Sequence, residues 1–106
     1  MDLSQKKCVP CEIGTPPLSI EEANKLLENT PYWHISDDKL QKEFKFADFK
    51  EAMNFVNKVA DIAEEEGHHP DIFIFYNKVT LTLFTHAARG LTENDFILAS
   101  KVDKLG

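Results

Sequence analysis

"DIFIFYNKVTLTLFTH", residues 71–86, decides the fold: two runs of β-branched and aromatic residues flank a short polar break. Such runs, with period-two alternation in the second half, predict a hairpin of two antiparallel strands. A two-residue turn at Asn77-Lys78 pairs Tyr76 with Val79, Ile74 with Leu81 and Ile72 with Leu83. Those six side chains then share one face, the expected core face, on which Tyr76 is a packing residue. Phe73, Phe75, Thr80, Thr82 and Phe84 face the other way. Three phenylalanines on that side call for cover by another subunit or a ligand.

Working outward, "GLTENDFILASKVDKLG" (90–106) places Thr92 and Asp95 as a capping box before a helix with Phe96, Ala99, Val102 and Leu105 on one side. Upstream, "ADFKEAMNFVNKVADIAEEEG" (47–67) has the helical period, with Asp48 and Glu51 as its cap and Gly67 as its stop. Its expected buried face is Phe49, Ala52, Met53, Val56, Ala60 and Ala63. "YWHISDDKLQKEFKF" (32–46) reads as two strands about Asp37-Asp38, with Trp33 and Ile35 before the turn and Leu40, Phe44 and Phe46 after it. "LSIEEANKLLENTP" (18–31) opens a helix with a Ser19–Glu22 capping box, carries Ile20, Ala23, Leu26 and Leu27 at helical spacing, and stops at Pro31. Residues 1–18 contain Pro10, Gly14, Pro16 and Pro17 and are expected to be a flexible arm. The expected fold is therefore α+β in the order α-β-β-α-β-β-α. A four-stranded antiparallel sheet would carry three helices on one face, in a single domain over 19–106.

At 106 residues, with 42% hydrophobic and 28% charged residues, the chain suits one modest core. A formal charge of −6 and a single arginine, Arg89, argue against direct binding to nucleic acid, which needs clustered cations. No apolar run reaches membrane-spanning length and the N-terminus lacks a signal-peptide core, so neither membrane insertion nor export is expected. Cys8 and Cys11 form a lone Cys-Val-Pro-Cys with no second pair to complete a structural zinc site. Two reduced thiols on the arm is the preferred reading over a metal shared between subunits.

Two of the four histidines, His68 and His69, stand side by side where the long helix stops and the hairpin begins. In the register above, an extended ladder sets His69 opposite His86, with Cβ atoms roughly 4.5–5.5 Å apart. Imidazoles with a pKa near ~6.5 both donate and accept protons at neutral pH, which suits acid–base work on a small ligand. Structural roles are equally open: His68 as a helix-end donor, His69 as a turn residue. Metal ranks below both, since adjacent histidines diverge and no His-Glu-x-x-His spacing occurs.

The stretch from Glu64 to Asp95 resembles the signature of the pterin-4a-carbinolamine dehydratases. It runs as an acid, three spacers, His68-His69-Pro70, five residues, Tyr76, nine residues, His86, eight residues and Asp95. "YNKV", "TH", "GLTENDFILA" and the leader "KKCVPCE" with "PPLS" resemble bacterial-type members, so the similarity spans nearly the whole chain. The resemblance implies a cytoplasmic hydro-lyase that needs no cofactor or metal. It would remove water from 4a-hydroxytetrahydropterin to give quinonoid dihydropterin, in recycling linked to an aromatic amino acid hydroxylase. Carried onto this chain, it makes His68, His69 and His86 catalytic. Gly67, His68, His69, Phe84, Thr85, His86 and Ala87 would bind substrate, with Glu64 and Asp95 in support. Read from the chain alone, Asp95 is first a helix cap and Glu64 a solvated acid. Gly67 stands where many members have an acid, and Phe84 and Ala87 stand where animal members have Ser and Glu. Phe84 is expected to stack on the ring instead. The resemblance also implies a homodimer or homotetramer. The alternative function is a dimerisation or assembly module with little activity.

Overall fold

The computed structural model describes residues 3–9 and 13–105. Cys11, half of the Cys8–Cys11 pair, lies outside them. The elements are α1 (Ile20–Leu27), β1 (His34–Ser36), β2 (Lys39–Lys45), α2 (Phe49–Glu66), β3 (Asp71–Phe75), β4 (Lys78–Leu83) and α3 (Glu93–Asp103). Short 3-10 turns occupy Leu3–Gln5 and His86–Ala88. The order α-β-β-α-β-β-α and the α+β class are as expected. The strands form one antiparallel sheet ordered β1-β2-β4-β3, which leaves β3 on an edge.

Local chemistry starts the helices. The Ser19 hydroxyl accepts from the Glu22 N–H at 3.1 Å while the Glu22 carboxylate accepts from the Ser19 N–H at 3.0 Å. These bonds hold the exposed Glu22 carboxyl below the usual carboxylate range. Asp48 accepts from the Glu51 N–H at 2.8 Å and starts α2. Gly67 ends α2 in the left-handed region, at φ 66°. The core lies between the central strands and two helices. Leu40, Val79, Leu81 and Leu83 meet Ala52, Val56 and Val59 of α2 and Phe96, Leu98, Ala99 and Val102 of α3.

Several expectations need correction. The β3–β4 register pairs Ile74 with Val79 and Ile72 with Leu81, so the turn falls at Tyr76-Asn77, one residue earlier than expected. Asn77 accounts for the shift: its side-chain amide donates to the Phe46 carbonyl at 2.9 Å and its own carbonyl accepts from the Phe46 N–H at 2.8 Å. That exchange ties the turn to the end of β2. Tyr76 consequently sits in the turn at φ 52°, 62% exposed, and is not a core residue. The ladder stops at Asp71, so His69 and His86 are not cross-strand partners; extending it would set Phe84 beside His69.

Phe49 and Ala60 of the face expected for α2 are exposed, and Val59, omitted from it, is fully buried. Helix α3 is buried round its whole circumference from Asn94 to Ser100, not on one side. Leu3 is the reason: it is 1% exposed, in a turn packed on α3, and Lys101 Nζ donates to the Ser4 carbonyl at 2.9 Å. The start of the expected arm thus lies against the body, whereas Ile13 is almost fully exposed.

The inward face of β2 also holds a cation. Lys42 Nζ sits 2.8 Å from Asp103 Oδ1 and 4.5 Å from the centre of the Phe44 ring. The Trp33 indole N–H donates to the same carboxylate at 3.1 Å. Lys42 is tolerated there because an acid and an aromatic face both meet its ammonium group.

Candidate active site

Gly67 reverses the chain at the end of α2, so His68 and His69 leave the helix toward the start of β3. From the other side, β4 ends at Leu83 and the chain folds into a loop closed by backbone bonds between Thr85 and Gly90. His86 opens the 3-10 turn in that loop. The two segments face across a cleft of about 270 Å³ lined by Val9, Gly67, His68, His69, Phe84, Thr85, His86, Ala87 and Asn94. That volume is near the lower end of small-molecule sites and suits one heterocycle. All seven residues expected to bind substrate therefore meet at one place, although the cross-strand contact that was to bring them together is absent.

His68 is the most constrained of the three imidazoles. Its Nε2 lies 2.6 Å from Asp95 Oδ1, and Asp95 is wholly buried. The other oxygen, Oδ2, accepts from the Thr85 hydroxyl at 2.8 Å and the Thr92 N–H at 2.9 Å. A carboxylate has no hydrogen to give, so the proton of the third contact belongs to His68 Nε2. The ring is thereby fixed in orientation and tautomer, and Nδ1 is left for other partners. Asp95 both caps α3 and holds His68.

His69 is more exposed and meets Glu64 at 3.1 Å on the rim, where both side chains are more than half accessible. Such a pair orients weakly. The His86 ring stands edge-on to Phe84, with centroids 5.1 Å apart. Phe84 also lies under Lys39 Nζ, 5.5 Å from its centroid. Thr85 is 5% exposed with its hydroxyl committed to Asp95 and Thr92, so it shapes the cleft from behind. The remaining histidine, His34, pairs with Gln41 on the β1–β2 hairpin and takes no part.

Among the described residues no group of three or more His, Cys, Asp or Glu is arranged to hold a metal ion. Cys8 is not a reactive thiol: burial, then the Glu66 carboxylate, push its pKa up to about 12. Two lining residues were missed by the sequence reading. Val9 lies in the leader "KKCVPCE", whose likeness to bacterial-type chains was a usable signal; nothing in the sequence singled out Asn94.

A family model described as "Pterin 4 alpha carbinolamine dehydratase" matches residues 16–105. The chain belongs to that family. Curated proteins assigned by name to the pterin-4-alpha-carbinolamine dehydratases agree. One from Alkaliphilus metalliredigens is 49% identical over 97% of this chain and 95% of its own length. Another, from Rubrobacter xylanophilus, is 47% identical over 98% of both chains. Among solved structures, one titled "transcriptional coactivator/pterin dehydratase" from Brucella melitensis superposes with a TM-score of 0.80 at 36% identity. It covers 84% of this chain and 97% of its own. This pterin carbinolamine dehydratase family member thus has three imidazoles around a cleft, one fixed by a buried acid, with an aromatic wall at Phe84.

Proposed function

We propose that the chain is a hydro-lyase that removes water from 4a-hydroxytetrahydropterin to give quinonoid dihydropterin. One observation carries the reading: in a chain of this family, His68, His69 and His86 line a single cleft of heterocycle size. The C4a–O bond breaks as the hydroxyl takes a proton and leaves as water; the C4a=N5 bond forms as the N5–H proton passes to a base. Imidazole does both jobs near neutral pH. His86 or His68 serves the hydroxyl side, and His69 orients the ring or completes the proton path. Asp95 holds the His68 ring, and Glu64 supports His69 from the rim. Phe84 offers the pterin an aromatic face, while Gly67, Thr85 and Ala87 offer backbone atoms.

In the cytoplasm this activity would act downstream of an aromatic amino acid hydroxylase and deliver quinonoid dihydropterin, which a separate reductase must then reduce to the tetrahydro form. A stopped-flow assay of 4a-hydroxytetrahydropterin dehydration tests the proposal. His86→Ala is expected to lower the enzymatic rate by ~10²–10⁴-fold, the usual contribution of a proton-transfer group. Chelator is expected to change nothing. An unaltered rate in His86→Ala would remove that residue from the chemistry.

Self-association is a companion reading, favoured by β3. Ile72, Phe73, Ile74 and Phe75 are all at least 36% exposed, on an edge strand whose only partner among the described residues is β4. A second copy, as a homodimer or the first step to a homotetramer, would cover both its apolar side chains and its free backbone groups.

A further inference from the structure

Residues 3–9 precede the stretch matched by the family model, yet they are held at the histidine cleft by two buried polar side chains. Asn94, 4% exposed, reads both backbone groups of Val9: its Oδ1 accepts from the Val9 N–H at 3.0 Å and its Nδ2 donates to the Val9 carbonyl at 2.6 Å. Glu66, with a side chain 5% exposed, accepts from the Cys8 N–H at 2.8 Å and faces Lys101 at 3.7 Å. Lys6 adds an outer pair with Glu93 at 3.1 Å. Buried amides and carboxylates are costly without hydrogen-bond partners, and here the leader's backbone provides them.

The attachment points are informative. Glu66 immediately precedes Gly67 and His68; Asn94 immediately precedes Asp95, which fixes the His68 ring. The leader is therefore fastened to the two places in the chain that set His68. Val9, which follows directly on Cys8 in that fastened segment, lines the cleft while remaining 65% exposed.

We propose that Val9 is an apolar, specificity-determining wall of the pterin site, with Asn94 and Glu66 as the residues that position it. The leader is then a working part of the substrate site. The inference rests on the reading of this cleft as a pterin site.

The test uses the full-length chain with Val9→Asp, Val9→Ile and Asn94→Leu, each measured for kcat, KM and melting temperature. Val9→Asp is expected to raise KM roughly tenfold, the scale of a lost apolar contact in a specificity pocket. Its kcat should stay within about twofold and its melting temperature unchanged, the pattern of lost binding with chemistry intact. Val9→Ile keeps an apolar wall and should raise KM less than Val9→Asp does, and Asn94→Leu should share the KM rise. A Val9→Asp chain with wild-type KM overturns the inference. Methyl and imidazole NMR of wild type, titrated with 7,8-dihydropterin, separates the two levels of failure. Shifts at His68 and His86 without any at the Val9 methyls overturn this inference alone. No shift at any of them overturns the pterin site, and this inference with it.

Discussion

At the scale of single residues, Asp95 does most to shape the cleft. Three donors converge on its buried carboxylate, from His68, Thr85 and Thr92. Asp95→Asn would put an N–H₂ where one of those oxygens stands, setting donor against donor. The expected outcome is a stability loss of ~1–3 kcal/mol by denaturant titration, the cost of an unmet buried hydrogen bond. The dehydration rate should also fall, by up to roughly 10⁴-fold, as His68 loses its fixed tautomer, by the reasoning that applies to Asp–His pairs in hydrolases. Reading Asp95 as a cap was sound but incomplete. A capping box is local and visible in the sequence, whereas the His68 contact joins residues 27 apart and depends on how α2 and α3 pack.

Cys8 offers a pH test. Its thiol keeps its proton up to about 12 in the folded chain, against a reference value of 9.0. The folded state therefore binds this proton more tightly than the unfolded one. The stabilisation is fully present below about 9 and is lost as pH rises toward about 12. In a Cys11→Ser background, iodoacetamide at pH 8 is expected to label Cys8 far more slowly than a free thiol, and fully after unfolding in guanidinium. Mass spectrometry reads both. Rapid labelling of the folded chain would contradict a protected thiol.

At the scale of elements, what could be read was what depends on neighbours in sequence. The caps at Ser19, Asp48 and Thr92, the Gly67 stop and the Asp37-Asp38 turn, at φ 52° and 61°, are all local. The hairpin register was not local. Asn77 is bonded to Phe46, far back in the chain, and that contact outweighed the cost of a tyrosine at positive φ. The misplaced turn kept side-chain parity, because pairing moved by two positions on one strand. For that reason Ile72, Ile74, Val79 and Leu81 still share one sheet face, but only Val79 and Leu81 are core residues; Ile72 and Ile74, on the edge strand, are exposed.

Gly67 gives this scale its prediction. A Cβ there would meet nothing within 4 Å, so Gly67→Ala tests backbone conformation alone. The expected cost is ~1–2 kcal/mol for a left-handed alanine. The dehydration rate should fall as well, since the same residue aims His68 and His69. A chain with wild-type stability in urea titration would mean that the helix end relaxes without strain.

At the scale of the whole molecule, the β3 edge is the unfinished part. Its phenylalanines were expected to need cover, and Phe73 and Phe75 are 64% and 67% exposed. Phe84, from the same expected face, turns toward His86 at the cleft. Phe73→Lys with Phe75→Lys is expected to shift a multimer to monomer in sedimentation or light scattering, while the far-UV circular dichroism stays unchanged. An unaffected assembly state would place the interface elsewhere. The sequence could show that a sheet face was too apolar, but not which strand would be on the edge, because the β1-β2-β4-β3 order is set by tertiary pairing. The packing of the leader was equally hidden. Prolines in a sequence signal irregular backbone, and irregular backbone can still be bound tightly.

That leader has a bearing on how the protein is made. Leu3 leaves the ribosome well ahead of α3, on which it packs. Residues 3–9 must therefore wait, uncovered, until α3 has been made, and the structure can close only once residues 93–103 have cleared the exit tunnel.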